Sequence, residues 1–170
     1  MSGRQRALDP STRRWAIGGA LVALAAAPIL FLGPGNDLDE SNIFRSGRSI
    51  ARHLSYTASR PPGALVHETA VGFLDLVGGP LLTNLGSFVL AVVVAVALFR
   101  LLRGEGVGTG GLLAVAVVVL NPWFVIAATG TVDYVWALGF ILLSALAARS
   151  KHPVWAGVLG AMAIACRVGS

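Results

Sequence analysis

Five apolar segments dominate the pattern of this chain, and one long polar stretch separates the first of them from the other four. The segments are Trp15–Gly33, Asn84–Leu102, Gly111–Ala128, Val132–Ala148 and Val154–Val168. Each has about 15 to 19 residues, close to the roughly 20 that an α-helix needs to cross the hydrocarbon of a membrane. The pattern therefore predicts an all-α fold, a polytopic membrane helical bundle of about five transmembrane helices.

Composition favours the same class of protein. Hydrophobic residues make up 55% of the 170 positions and charged residues only 12%, which is more apolar surface than a soluble domain of this length could bury. The net charge of +5 comes from clustered arginines, so we expect membrane lipids as partners and no nucleic acid. Cys166 is the single cysteine, which excludes an intrachain disulfide.

Basic clusters at the ends of the apolar segments predict the orientation. They are Arg4, Arg6, Arg13 and Arg14, then Arg100 and Arg103, then Arg149 and Lys151. With five spans all three clusters fall on one side, so residues 1–14 are expected to form a basic cytoplasmic N-terminus and the 34–83 loop to be extracytoplasmic. The first segment exceeds the roughly 7–15 apolar residues of a secretory signal, so we predict a retained anchor.

Two helical patterns occupy the polar loop. Residues Asn42–Leu54 place apolar side chains at helical spacing opposite a basic face, which predicts an amphipathic helix lying on the membrane. The apolar positions are Ile43, Phe44, Ile50, Ala51 and Leu54, and the basic ones are Arg45, Arg48 and Arg52. The run Ala64–Val77 is too polar for a span, and Gly78-Gly79-Pro80 ends it, so we predict a second interfacial helix.

The first candidate residues for chemistry are the carboxylates Asp37, Asp39 and Glu40, just beyond the first apolar segment. A carboxylate there can meet both a water-soluble hydroxyl and a lipid headgroup, as a general base must. Negative charge at this place can equally stabilise the N-terminus of the following helix. The residues alone leave both interpretations open.

Asp133 and Arg167 are ionisable residues in apolar segments, where such residues are costly and usually have a partner or a function. Arg167 follows roughly fourteen residues of the fifth segment, a rise of about 21 Å that brings it to the outer side as well. One interpretation is a salt bridge between the two. The other is that Arg167 binds a lipid-linked phosphate, for which a planar multi-donor cation is suited. His67 and Glu68 are adjacent without metal-ligand spacing, so no metal site is expected.

The order of several short motifs resembles the C-type membrane glycosyltransferases, especially the protein mannosyltransferase-like and aminoarabinose-transferase-like branch. The motifs, spread over about residues 15 to 170, are Asp39-Glu40, Ser59-Arg60-Pro61-Pro62-Gly63, Asn121-Pro122, Asp133 and Cys166-Arg167. The resemblance implies an inverting transfer from a polyprenyl-phosphate sugar to an acceptor protein, lipid or glycan at the outer face. No cofactor is implied.

The resemblance also implies roles for individual residues. Asp39 would be the general base, with Asp37 as its rival, and Glu40 would orient the loop or the acceptor. Arg167 would bind the donor phosphate. Arg60, which stands where many relatives have His, is a second candidate, and Asp133 belongs to the same donor-side group.

Members of this family are several hundred residues long, so residues 15–170 are expected to be the N-terminal part of such an enzyme and inactive in isolation. A non-catalytic membrane module, for assembly or partner binding, is the alternative. A small transporter is disfavoured because a single intramembrane acid offers little of a pathway.

Overall fold

The structure is a computed structural model that describes residues 10–35, 38–107 and 109–167. All regular secondary structure in these ranges is helical, which confirms the all-α prediction. The helices are α1 Pro10–Ala26, a 3₁₀ helix Ala27–Leu32, α2 Leu38–His53, α3 Leu65–Gly104, α4 Thr109–Val119, α5 Pro122–Thr129, α6 Tyr134–Arg149 and α7 Pro153–Cys166.

Helix length and composition identify fewer candidate crossings than the five that we expected. Among the described helices, α3 is long and apolar enough to cross a membrane unaided. The α4 and α5 pair passes the same test when taken together, as one broken crossing. Residues 17–32, α6 and α7 are apolar but shorter. Length and composition therefore support one or two crossings.

Helix α3 is interrupted at Gly78 and Gly79, whose backbones are not helical. Gly79 has φ +64°, a conformation that costs glycine little, and Pro80 lacks the N–H that would continue the preceding helix. The prediction that Gly78-Gly79-Pro80 ends the second loop helix is confirmed. We call residues 65–77 the N-terminal arm of α3 and residues 80–104 its C-terminal arm.

Helix α2 packs on the N-terminal arm of α3. Ile43 and Phe44, expected on the apolar face of α2, are buried in a cluster with Val71. Leu54 lies one residue beyond the end of α2, at φ +53°, and is 89% exposed. The protein itself therefore covers much of the face that we expected to rest on lipid.

The third apolar segment differs most from the prediction. It was expected as one span over Gly111–Ala128, but it forms two helices, α4 and α5, with a bend of 65° between them. The Asn121 side chain accepts a hydrogen bond from the Trp123 N–H at 2.9 Å, and Pro122 takes the first helical position. An Asn N-cap followed by proline starts a new helix, which explains the bend.

Two hydrophobic clusters join the remaining helices. One combines Ala91 and Val94 of α3 with residues of α5 and the start of α6. The other packs Trp136 of α6 against Cys166 of α7 and against the N-terminal arm of α3. The start of α6, the end of α7 and the N-terminal arm of α3 consequently lie side by side.

Candidate functional site

Asp133 is the centre of the candidate site. It immediately precedes α6, and its side chain is only 1% exposed. Oδ2 accepts a hydrogen bond from Nη2 of Arg60, and Oδ1 accepts one from Nη1 of Arg167 at 3.0 Å. The structure thus contains the expected pairing of Asp133 with Arg167 and adds Arg60 as a second partner.

Asp39 joins this cluster through Arg60. Nη1 of Arg60 donates to Oδ2 of Asp39 at 3.2 Å, while Nη2 of the same guanidinium binds Asp133. Burial opposes the charge of Arg60, but the hydrogen bond and negative charge of Asp133, together with Asp39, outweigh it and raise the pKa of Arg60. Asp39 remains 53% exposed, so it is the carboxylate of the cluster that solvent or a substrate can reach.

Arg167 follows the last residue of α7 and lies over Tyr134. Its guanidinium carbon is 3.9 Å from the centroid of the Tyr134 ring, close enough for a cation–π interaction. A guanidinium has five N–H donors, of which Asp133 accepts one, and the Arg167 side chain is 25% exposed. The remaining donors of Arg167 can bind an anionic oxygen.

The other two acidic candidates have different outcomes. Asp37 lies outside the described residues. Glu40 and Asp39 both lie in the first turn of α2. Negative charge stabilises a helix N-terminus, so their position is consistent with the capping interpretation. Glu40 is 7% exposed, and its Oε1 lies 3.0 Å from where a Cβ would stand on Gly130, in the loop that leads to Asp133.

Glu68 is a residue whose role the sequence did not reveal. It is fully buried in the N-terminal arm of α3 and accepts hydrogen bonds from two segments of the chain. The donors are Ser46 Oγ at 2.5 Å, Ser59 Oγ at 2.6 Å, Ser59 N at 3.3 Å and Ala64 N at 3.2 Å. Burial, and then the negative charge of Glu68, raise the pKa of nearby Tyr56. Glu68 therefore anchors the 54–64 loop, which carries Arg60 to the site.

Glu68→Gln is expected to destabilise the protein by about 1–3 kcal/mol, because every observed partner of Glu68 is a donor and the amide replaces one acceptor with another donor. The loop would also hold Arg60 less firmly. The measurement is thermal unfolding of the detergent-solubilised protein, combined with limited proteolysis of the 54–64 loop.

Asp75→Asn is the matched control for Glu68→Gln. Asp75 lies on the same arm of α3, but it pairs with Arg48 of α2 and not with the loop. This variant should leave the proteolysis of the loop unchanged. Equal loop cleavage in Glu68→Gln and the unmodified protein would contradict the anchoring role.

A second buried polar network connects the 3₁₀ helix to the loop before Asp133. Asn84 Nδ2 donates to the carbonyl oxygens of Leu30 at 3.1 Å and Gly33 at 2.9 Å. Thr131 donates to Asn84 Oδ1 at 2.9 Å and lies 3.0 Å from Thr83 Oγ1. The sequence signal for this network was the adjacent pair Thr83-Asn84, directly after the helix break and at the start of an apolar arm.

His67 is a buried histidine on the N-terminal arm of α3. It is fully buried, its ring meets Trp136 edge-on at 5.3 Å, and neither ring nitrogen has a hydrogen-bond partner among the described residues. In the same described ranges no group of three or more His, Cys, Asp or Glu side chains is arranged to hold a metal ion.

Comparison with known proteins adds no relative: no family model, no curated protein and no solved structure matches this chain. The chemistry of the site therefore rests on its geometry. A half-exposed carboxylate that can accept a proton lies beside guanidinium groups that can bind an oxyanion.

Proposed function

We propose that this chain is a membrane-embedded segment of a glycosyltransferase, which moves a sugar from a polyprenyl-phosphate donor to an acceptor at the extracytoplasmic face. The observation that carries the proposal is the arginine shared by Asp39 and Asp133. Through Arg60, the candidate base and the candidate phosphate-binding arginines belong to one cluster. Residues 39, 60, 133 and 167 are far apart in the sequence.

In the proposed reaction, Asp39 takes the proton of the acceptor hydroxyl as its oxygen attacks the anomeric carbon of the sugar. The bond from that carbon to the phosphate oxygen breaks on the opposite side, which inverts the configuration and releases polyprenyl phosphate. Arg167 and Arg60 stabilise the negative charge that develops on the leaving phosphate. Glu40, which lies beside the loop at Gly130, orients the start of α2 and so positions Asp39.

The proposed topology has the N-terminus in the cytoplasm, about five crossings and the 34–83 loop outside. Exposed apolar side chains support a lipid environment, since water-soluble proteins rarely expose large contiguous apolar patches. Leu21 and Leu24 of α1 are 61% and 69% exposed, and Leu113 and Val117 of α4 are 61% and 65% exposed. In this topology α2 and the N-terminal arm of α3 lie at the outer membrane surface.

Asp39→Asn is expected to reduce sugar transfer at least about a hundredfold, because a general base contributes about 10²–10⁴ in rate. Asparagine can still accept a hydrogen bond from Arg60, and the site is half exposed, so the amount of membrane-inserted protein should not change. The measurement uses membranes from cells that express the complete open reading frame encoding this chain. It follows the release of polyprenyl phosphate from labelled lipid-phosphate sugars.

The control variant is Glu105→Gln, which removes a carboxylate that is 64% exposed and paired with Arg149 at the far end of α3. It should leave transfer unchanged. Unaltered turnover in Asp39→Asn would remove Asp39 as the base.

A non-catalytic membrane module is the second candidate, and one observation favours it. Asp133 already binds two arginines, and Asp39 balances part of their charge, so the cluster is also a complete ion-pair network. In that case Arg167→Ala would lower stability, with no transfer activity to lose. Loss of donor binding in Arg167→Ala at unchanged stability would favour the transferase.

A further inference from the structure

A cavity of about 600 Å³ separates α1 from the C-terminal arm of α3 and from α4. Its size lies within the roughly 300–1,000 Å³ of typical small-molecule sites. Apart from two arginines, small and apolar residues form nearly all of its lining, among them Gly18, Gly19, Phe88, Val92 and Phe99. The cavity is therefore suited to an apolar chain.

Within the described part of the chain, no other helix packs closely against the side of α1 that lines the cavity. A Cβ placed on Gly18 or on Gly19 would meet no atom within 4 Å. The only described element with which α1 makes extensive contact is the 3₁₀ helix that follows it. The α1 residues that line the cavity therefore face open space.

One end of the cavity is positively charged. Arg100 and Arg103 line it, and neither guanidinium group forms an ion pair or a hydrogen bond with a described residue. The nearest acid along the chain, Glu105, forms an ion pair with Arg149 at 2.5 Å and not with Arg100 or Arg103. Two uncompensated cations at the end of an apolar cavity complement a ligand with an anionic head and an apolar tail.

The length of the apolar part matches one leaflet of a membrane. From Phe88 to Phe99 the C-terminal arm of α3 rises about 16 Å. Half of a hydrocarbon core of about 30 Å is about 15 Å. An acyl chain that lies along this arm would therefore place its headgroup at Arg100 and Arg103.

We propose that this cavity binds one anionic phospholipid, with an acyl chain between α1 and the C-terminal arm of α3 and the phosphate on Arg100 and Arg103. The site is separate from the Asp133 cluster, since Arg100 lies about 24 Å of helix beyond Asn84, which contacts the loop before Asp133. The inference rests on the membrane location in the proposed function, but not on sugar transfer.

The test is to purify the protein from membranes in mild detergent and to measure bound lipid by native mass spectrometry, with added phosphatidylglycerol or phosphatidylcholine. We expect one phosphatidylglycerol per chain and weak binding of phosphatidylcholine. Arg100→Gln with Arg103→Gln should weaken phosphatidylglycerol binding about thirtyfold, at about 1 kcal/mol for each basic residue. Gly19→Leu should reduce it by filling the cavity without changing the charge.

The charge-matched control is Arg45→Gln with Arg52→Gln, which removes two exposed arginines of α2 and should leave lipid binding unchanged. Equal binding of the two lipids, or an equal loss in the control, would overturn the proposal. A disulfide-linked dimer formed by Gly19→Cys would also overturn it, because a second copy would then fill the gap. Failure of the protein to sediment with carbonate-washed membranes would instead refute the membrane location itself.

Discussion

Asp133→Ala is expected to lower the free energy of unfolding by about 3 kcal/mol, the lower end of the roughly 3–5 kcal/mol that breaking a buried ion pair costs. The Asp133 side chain is 1% exposed, and its loss leaves two guanidinium groups without their shared anion. Arg60 and Arg167 keep 29% and 25% of their side-chain surface, so water can solvate them partly. This partial solvation keeps the expected loss near the lower end of that range.

The measurement is denaturant unfolding of the purified protein in detergent, for Asp133→Ala, for Arg60→Gln and for the double variant. If uncompensated charge causes the loss, the double variant should lose less stability than the sum of the two single variants, with a coupling of about 0.5–3 kcal/mol. Glu105→Ala, at an exposed ion pair, should cost at most about 1 kcal/mol. A loss for Asp133→Ala as small as that of Glu105→Ala would show that the cluster does not support the fold.

Gly72→Ala is expected to destabilise the packing of α2 on α3 by about 3 kcal/mol or more, at or above the usual 1–3 kcal/mol for overpacking. A Cβ on Gly72 would stand 2.1 Å from the carbonyl oxygen of Gly47 and 2.5 Å from its carbonyl carbon. These are backbone atoms, so the clash can be relieved only if α2 moves away. Movement of α2 would also carry Asp39 away from Arg60.

Gly157→Ala is the matched control, since a Cβ there would meet nothing within 4 Å and the position is exposed on α7. Replacing a glycine within a helix by alanine should stabilise it by roughly 0.5–1 kcal/mol, so the two variants should change stability in opposite directions. Thermal unfolding reports stability, and tryptic cleavage at Arg52 reports release of α2. Equal melting temperatures for the two variants would contradict the close contact at Gly47 and Gly72.

Short-range patterns were sufficient for several features. Helical spacing predicted α2 from Ile43 and Phe44, and Gly78-Gly79-Pro80 predicted the break in α3. Both depend on backbone preferences and side-chain periodicity within a few neighbouring residues. The bend between α4 and α5 also had a local signal in Asn121-Pro122, although the continuous apolar run on both sides favoured a single span.

Glu68 shows why other parts of the site could not be predicted. Beside His67 it suggested only a metal ligand, and the absence of ligand spacing removed that interpretation. Its hydrogen-bond donors come from α2 and from the 54–64 loop, up to 22 residues away in the chain. No local pattern specifies that a buried carboxylate will anchor a loop, because the donors become neighbours only when α2 packs on α3.

The amino-acid pattern alone therefore determines the helical class, the apolar arms and most helix ends, because these depend on interactions between residues close in the chain. Packing decides which arginine meets which carboxylate. The sequence suggested the pair Asp133 and Arg167, but Arg60 reaches Asp133 across 73 positions and also binds Asp39. Such contacts depend on how α6, α7 and the N-terminal arm of α3 lie against one another, and that arrangement comes from the buried surfaces of the whole fold.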